Sequence, residues 1–317
     1  MLTLLDIAKQ TGNDAVVGLV EENQKYSPAV ANIPWRTIKG TSFTTGVRTG
    51  LPTTGFRGTN TGQTPSKSTF AKRTVETYVF SGAIKVDEAI AQAHPDGVPG
   101  LQAVEASGVM QSALINIEKQ IFGGITSDAN GFPGLKAQTK FGATTSSGDP
   151  LTVNATGSTG CSSIYLVKYG EQNVQLVGGM DKAFELGEWV RQLVADEADA
   201  TKLLMAYTNA LTSWVGLSVL NENAVRRIAN VSAQDGKTAS DALLAEAMAT
   251  FPVGYRPDAI FMARRSVSQI QKSRSVTLMS TGQKVNAQVI APWPTEFEGI
   301  PIYATDAIGV ADVAESA

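Results

Sequence analysis

The sequence is poor in the residues most enzyme chemistry depends on. It holds one cysteine, Cys161, and one histidine, His94, in 317 residues. A lone cysteine forms no intrachain disulfide, which fits a reducing compartment. The common zinc sites need three or four Cys and His ligands, so they are excluded. Excess charge of one sign is also missing. With 26 basic and 29 acidic residues the formal charge is −3, which gives no global attraction to nucleic acid or to an anionic membrane. No apolar run approaches the ~20 residues that span a bilayer. The N-terminus, Met1-Leu2-Thr3-Leu4-Leu5-Asp6, lacks the basic and long apolar regions of a secretory signal. A soluble cytosolic product is expected.

The phosphate and nucleophile motifs are missing too. Gly236-Lys237-Thr238 copies the end of a P-loop, but the glycine required five residues earlier is Val231. It reads as a surface turn. No G-x-G pair and no G-x-S-x-G elbow occurs. His94 lies in the turn Gln92-Ala93-His94-Pro95-Asp96-Gly97 and reads as a solvated or capping side chain. Cys161 reads as a small packed side chain. Asp196, Glu197 and Asp199 read as a solvated acidic stretch. Arg226-Arg227 and Arg264-Arg265 are pairs rather than a basic patch interleaved with aromatics, and ion pairing between subunits or at a core edge is expected of them. No catalytic residue, cofactor site or metal ligand is assigned, and the chain is read as a non-enzyme.

What is present is a chain suited to making contacts. It has 43% hydrophobic residues and is long enough to bury about three-quarters of its unfolded surface. Residues 1–38 read as an arm with short apolar faces and proline-directed extended stretches. Residues 39–82 are rich in Thr, Ser, Gly and Arg. Strand-like runs at Thr41–Thr45 and Thr74–Phe80 bracket a Gly-rich tip from Gly46 to Ser68. An isolated hairpin is marginal in water, so this one needs a surface to lie against. Asp87–Ala93 reads as a short helix. Leu101, Val104, Met110, Leu114, Ile117 and Ile121 put one apolar stripe on a helix over 101–122, about 33 Å long, ended by Gly123-Gly124.

Beyond it, Ser146–Thr159 reads as loop and subdomain boundary. Ser163–Tyr169 reads as a strand with Asn173–Val177 as its hairpin partner, and Leu203–Ala210 and Ser213–Leu220 as two further strands. A helix over Ser240–Phe251 is capped by Ser240. Asp258–Met262 reads as a buried strand, Arg264–Lys272 as a helix and Ile300–Tyr303 as a late strand. The irregular interleaving makes the class α+β, with no internal repeat.

The order of elements resembles the major capsid proteins of tailed bacteriophages, which have the Hong Kong 97 type fold. Stretches similar to a podovirus-like branch include Thr49-Gly50-Leu51-Pro52-Thr53 with Phe56-Arg57, Pro65-Ser66-Lys67-Ser68-Thr69 and Gly131-Phe132-Pro133-Gly134-Leu135. Others are Ser163–Val167, Trp214–Val219 followed by Val225–Asn230, and Phe297-Glu298-Gly299-Ile300-Pro301-Ile302. The resemblance implies an N-terminal arm (1–38), an extended loop (39–82) and a peripheral domain (83–154) with its spine helix at 101–122. It further implies an axial domain (155–290) and a C-terminal strand and tail returning to the body (291–317).

It implies a subunit that assembles in hexamers and pentamers into an icosahedral head around double-stranded DNA, without sequence specificity or cofactor. Contacts between copies would come from Arg48, Leu51, Phe56, Arg57, Asn60 and Lys67 in the loop, and from Leu2, Leu5, Tyr26 and Trp35 in the arm. A separate scaffolding protein and a portal are implied partners, with a decoration protein as a further one and no membrane. Assembly would take place in the host cytoplasm, followed by procapsid maturation. Lys67 and Lys72 read as ordinary surface charges rather than cross-linking residues. An encapsulin-like nanocompartment shell and a carboxylate-based hydrolase are the alternative readings.

Overall fold

In a computed structural model of the chain, the described residues are 26–182, 186–196, 199, 201–279 and 290–316, with side chains at 276–279 left aside. Leu2 and Leu5 lie outside them. The elements run in order: α1 (Pro28–Asn32), β1 (Trp35–Thr37), β2 (Ser42–Gly50), β3 (Thr69–Glu76), β4 (Tyr78–Asp87), α2 (Glu88–Gln92), α3 (Gly97–Gly123) and α4 (Leu135–Gln138). There follow β5 (Thr152–Asn154), β6 (Ser162–Val167), β7 (Val174–Gly178), β8 (Val190–Ala195), β9 (Leu203–Val219), β10 (Val225–Val231) and α5 (Asp241–Ala249). The last are β11 (Ala259–Ala263), α6 (Arg264–Met279), β12 (Glu296–Phe297) and β13 (Ile300–Thr305).

The described residues form three sheets. The first runs β1-β7-β9-β4, with β8 also on β9. The second runs β12-β13-β11-β6-β10-β5. The third is the β2–β3 hairpin alone.

The spine helix α3 starts earlier than the apolar stripe suggests, because Pro99 falls in the first turn, where a missing N–H costs nothing. At 27 residues it is about 40 Å long. Gly124 closes it with a positive φ of 56°. A Cβ on Gly134 would meet the Gln120 carbonyl oxygen at 2.5 Å, so the following loop packs on the helix end only with glycine there. The Gln120 side-chain amide completes that contact by donating to the Phe132 carbonyl at 2.8 Å.

The core forms in layers. Every residue of β6 is buried, so both faces of the second sheet are covered. Tyr165 and Val167 point with Phe261 toward Ile117, Ile121 and Phe122 of α3, and Val174, Leu176, Val215 and Leu217 of the first sheet join the same cluster. Ile164 and Leu166 point the other way, with Ile228, Ile260 and Met262, toward Leu244 of α5 and Val267 and Ile270 of α6. Ser240 caps α5 as expected, its hydroxyl accepting from the Leu243 N–H at 3.4 Å.

Four local expectations are corrected. β6 and β7 are not a hairpin: β7 runs parallel to β1 and antiparallel to β9, in a different sheet from β6. The runs 203–210 and 213–220 are one strand of 17 residues, because nothing at Leu211-Thr212 breaks it and β4 pairs continuously from Asp87↔Ala206 to Tyr78↔Val215. The polar stretch 146–159 contains β5, held parallel to β10. His94 is buried, against the solvated reading, while its Nδ1 accepts from the Asp96 N–H at 3.2 Å, as the capping reading has it. Residues 155–290 therefore contribute strands to both large sheets.

Candidate functional site

The feature that stands apart from the body is the β2–β3 hairpin. It pairs from Ser42↔Glu76 to Gly50↔Thr69, with a register shift between Arg48 and Gly50. Threonine pairs stitch its exposed face, Thr44 to Thr74 at 3.0 Å and Thr49 to Thr69 at 3.2 Å. Arg48 lies 5.5 Å over the ring of Phe70. Cross-strand contacts of these kinds are each worth a few tenths of a kcal/mol to about 1 kcal/mol.

Beyond the strands, residues 51–67 are all exposed. Leu51 is 77% exposed, and Phe56 is fully so. Among the described residues, nothing covers their apolar surface. The tip has local order all the same. Asn60 sits at φ 66° in a turn closed by the Thr61 N–H and hydroxyl, both donating to the Gly58 carbonyl. The Arg57 guanidinium donates to the Thr61 carbonyl at 2.7 Å. Lys67 is exposed beside the start of β3.

The root of the hairpin is fixed firmly. Val75 packs with Ile38, Val177, Leu220 and Phe43. The backbone N–H and hydroxyl of Thr77 both donate to the Thr41 carbonyl at 2.8 Å. Arg73 donates to the Leu220 carbonyl at 2.7 Å and to Glu222 Oε1 at 2.5 Å. Glu222 also accepts from the Ser146 N–H and hydroxyl at 2.8 and 2.9 Å. Burial works against its charge, but the Ser146 and Arg73 donors outweigh it and hold the carboxyl below the usual range. The result is a projecting arm of chain with a stiff base and an uncovered tip.

Residues 28–33 are tied to α3. Ala29, Val30 and Ile33 join the main cluster beside Ile117 and Ile121. The Ala29 N–H donates to Glu118 Oε1 at 3.0 Å in a buried setting. Burial pushes the Glu118 carboxyl up to about 7, against the lowering effect of that hydrogen bond. Tyr26 and Trp35 are exposed, although the Trp35 backbone pairs with Leu176.

The last residues form a second tie that sequence reasoning missed. Arg227 is fully buried and meets the Glu315 carboxylate with both terminal nitrogens, one of them at 3.1 Å. Lys136 reaches the same carboxylate at 3.0 Å. Asn230 accepts from the Glu315 N–H at 2.8 Å and donates to its carbonyl at 2.9 Å. Arg226 is buried under the ring of Phe251, its two terminal nitrogens donating to the carbonyls of Glu222, Val225 and Thr250. Arg227 is thus ion-paired within the fold, whereas Arg226 hydrogen-bonds to backbone carbonyls. Glu118 left one signal in the sequence: an acid four residues after Leu114, inside the apolar stripe. The partner of Arg227 left none.

Cys161 is buried, and burial pushes its thiol up. Among the described residues no three His, Cys, Asp or Glu side chains are grouped to hold a metal ion, and no helix is long and apolar enough to cross a membrane.

Comparison with solved structures finds a similar architecture in two bacteriophage structures. A chain of the bacteriophage Epsilon15 structure superposes with a TM-score of 0.69 at 21% identity, over 100% of this chain and 98% of that one. The capsid of bacteriophage JBD30 superposes at 0.52 with 11% identity, over 97% and 99%. Among curated proteins none matches. The fold is thus that of the Hong Kong 97 type capsid proteins, with a long spine helix, a projecting hairpin and a mixed α+β body. The family model of the major capsid protein GP7 matches residues 11–314, and the chain belongs to that family. It is a structural subunit of a bacteriophage capsid.

Proposed function

We propose that many copies of this subunit close into an icosahedral head, in hexamers and pentamers, around double-stranded DNA held without sequence specificity. The observation that carries the reading is the hairpin, stiff at Arg73–Glu222 and uncovered at Leu51 and Phe56. A tip left uncovered by the described residues gains burial on a neighbour. Arg48, Leu51, Phe56, Arg57, Asn60 and Lys67 make the loop contacts. Leu2, Leu5, Tyr26 and Trp35 make those of the arm. The spine helix and the first sheet serve as the peripheral part, and the second sheet with α5 and α6 as the axial part. Assembly proceeds in the host cytoplasm with a separate scaffolding protein and a portal, and the shell accepts a decoration protein.

The protein acts by contact and catalyses nothing. A formal charge of −3 suits a container, since Lys/Arg contacts to phosphate would bind DNA tightly. Electron microscopy of the purified chain, with and without its scaffolding partner, tests this. Closed shells or ring-shaped capsomers are expected, and a monomer under every condition would refute it.

A further inference from the structure

Glu118 on α3 is 2% exposed, and among the described residues no other Asp or Glu is buried. It lies between two elements. On one side is the segment 27–33, whose Ala29 N–H donates to Glu118 Oε1 at 3.0 Å. On the other is the end of β13, where Thr305 is buried. The hydroxyls of Ser27 and Thr305 also bond to the carboxyl and favour its charged form. The segment 27–33 brings no ionisable side chain. The charge that acts on Glu118 is Asp306, just past β13, and it is of like sign. Asp306 itself pairs with Arg264 at 3.4 Å. The other ionisable residues flanking these contacts are Tyr303 on β13, Lys119 on α3 and the exposed Tyr26 before α1.

The segment is lightly built. α1 is a single turn, closed by the Ala31 N–H on the Ser27 carbonyl at 3.3 Å and the Ile33 N–H on the Ala29 carbonyl at 3.0 Å. A helix of five residues does not persist once detached. Apolar contacts of Ala29, Val30 and Ile33 with Ile117 and Ile121 hold it down, together with the polar tie to Glu118. A neutral carboxyl suits this setting. An ionised one would be kept from water with one backbone N–H, two hydroxyls and the facing Asp306, and burial pushes the group up to about 7. Lifting residues 27–33 is the route by which water reaches the carboxylate with the least loss of structure.

We propose that Glu118 is a proton-operated latch: protonated, it holds residues 27–33 on α3 and β13, and ionised, it lets that segment lift while the body stays folded. The closed form binds the extra proton. Closure is therefore firmest below about pH 4.5 and weakens as the pH rises to about 7. Above that both forms are ionised and the balance no longer shifts. The apolar contacts of Ala29, Val30 and Ile33 persist at any pH, so ionisation loosens the segment without abolishing closure. The latch belongs to the single subunit and works whatever that subunit assembles into.

Hydrogen exchange of the unassembled subunit at pH 5 and pH 8, corrected for the intrinsic chemical rate, tests the latch. In the wild type, protection of the amides at 29–33 should fall by about 50–100-fold between the two, the change expected for one carboxyl moving from about 7 to 4.5 on opening. It should also stay below the protection of β6 at both pH values, because the segment opens without the body. Glu118→Gln keeps an acceptor for the Ala29 N–H and cannot ionise, so protection at 29–33 should not change with pH. Wild-type protection that is the same at pH 5 and pH 8 would overturn the proposal, as would an equal fall in Glu118→Gln. Exchange at 29–33 no faster than in β6 would overturn it too, since the segment would then open only when the whole subunit unfolds. The two wild-type comparisons stand without the variant.

Discussion

Removing the carboxylate of Glu315 should cost this subunit far more than the loss of a surface ion pair. The Arg227 guanidinium it meets is fully buried, and Lys136 is only partly exposed. Breaking a buried pair from one side leaves a charge stranded, typically at about 3–5 kcal/mol. The Glu315 side chain is a quarter exposed, so water can partly replace it. For Glu315→Ala we therefore expect a loss of about 2–4 kcal/mol, below the range for a fully enclosed pair. Urea unfolding of the unassembled subunit measures it as a fall in midpoint at constant slope. Adding Arg227→Met to that variant should recover most of the loss, because the stranded charge goes with it. A loss below about 0.5 kcal/mol, the value of an exposed pair, would refute the reasoning.

Three further outcomes follow from the same structure. The Glu118 carboxyl is raised in the folded state from 4.5 to about 7, so the native form binds the extra proton and stability is lost as pH rises from about 4.5 to about 7. Glu118→Gln mimics the protonated acid, and should match the wild type near pH 5 and exceed it near pH 8 by up to about 3 kcal/mol, at ~1.4 kcal/mol per pK unit; a constant difference across that range contradicts the assignment. Arg73→Ala should leave the body folded while hydrogen exchange quickens at the hairpin root, in β3 and at Leu220; unchanged protection there would show that Arg73 does not hold the hairpin. Gly134→Ala would put a Cβ 2.5 Å from the Gln120 carbonyl oxygen and 2.6 Å from the Gly124 nitrogen, so a thermal scan should show clear destabilisation, and an unchanged midpoint would mean that loop has slack.

The sequence made the local elements legible and hid the long-range pairings. The apolar stripe from Leu101 to Ile121 marks α3, and Ser240 marks the start of α5, because period and capping are local signals. The hairpin was readable for the same reason: β-branched runs bracket a Gly-rich tip. The partner of Val174–Gly178 was not, since a buried strand reads alike whichever sheet it joins. β1 and β9, which flank it, come from 35–37 and 203–219. The site was half legible. Leu51 and Phe56 stood out as apolar residues in a segment that has no core. The loop's anchor at Glu222, 149 residues from Arg73, and the reach of Glu315 back to Arg227 are products of the fold alone.

The central claim is that the work of this protein lies in contacts its projecting hairpin makes with other copies. Deleting residues 55–62, all exposed and outside every strand, tests it most directly. Electron microscopy and thermal unfolding of the same preparation give both readings at once. The account predicts a subunit with an unchanged unfolding midpoint that no longer closes into shells. Closed shells of normal size from the deleted chain, or a subunit that unfolds in parallel with the loss of assembly, would contradict it.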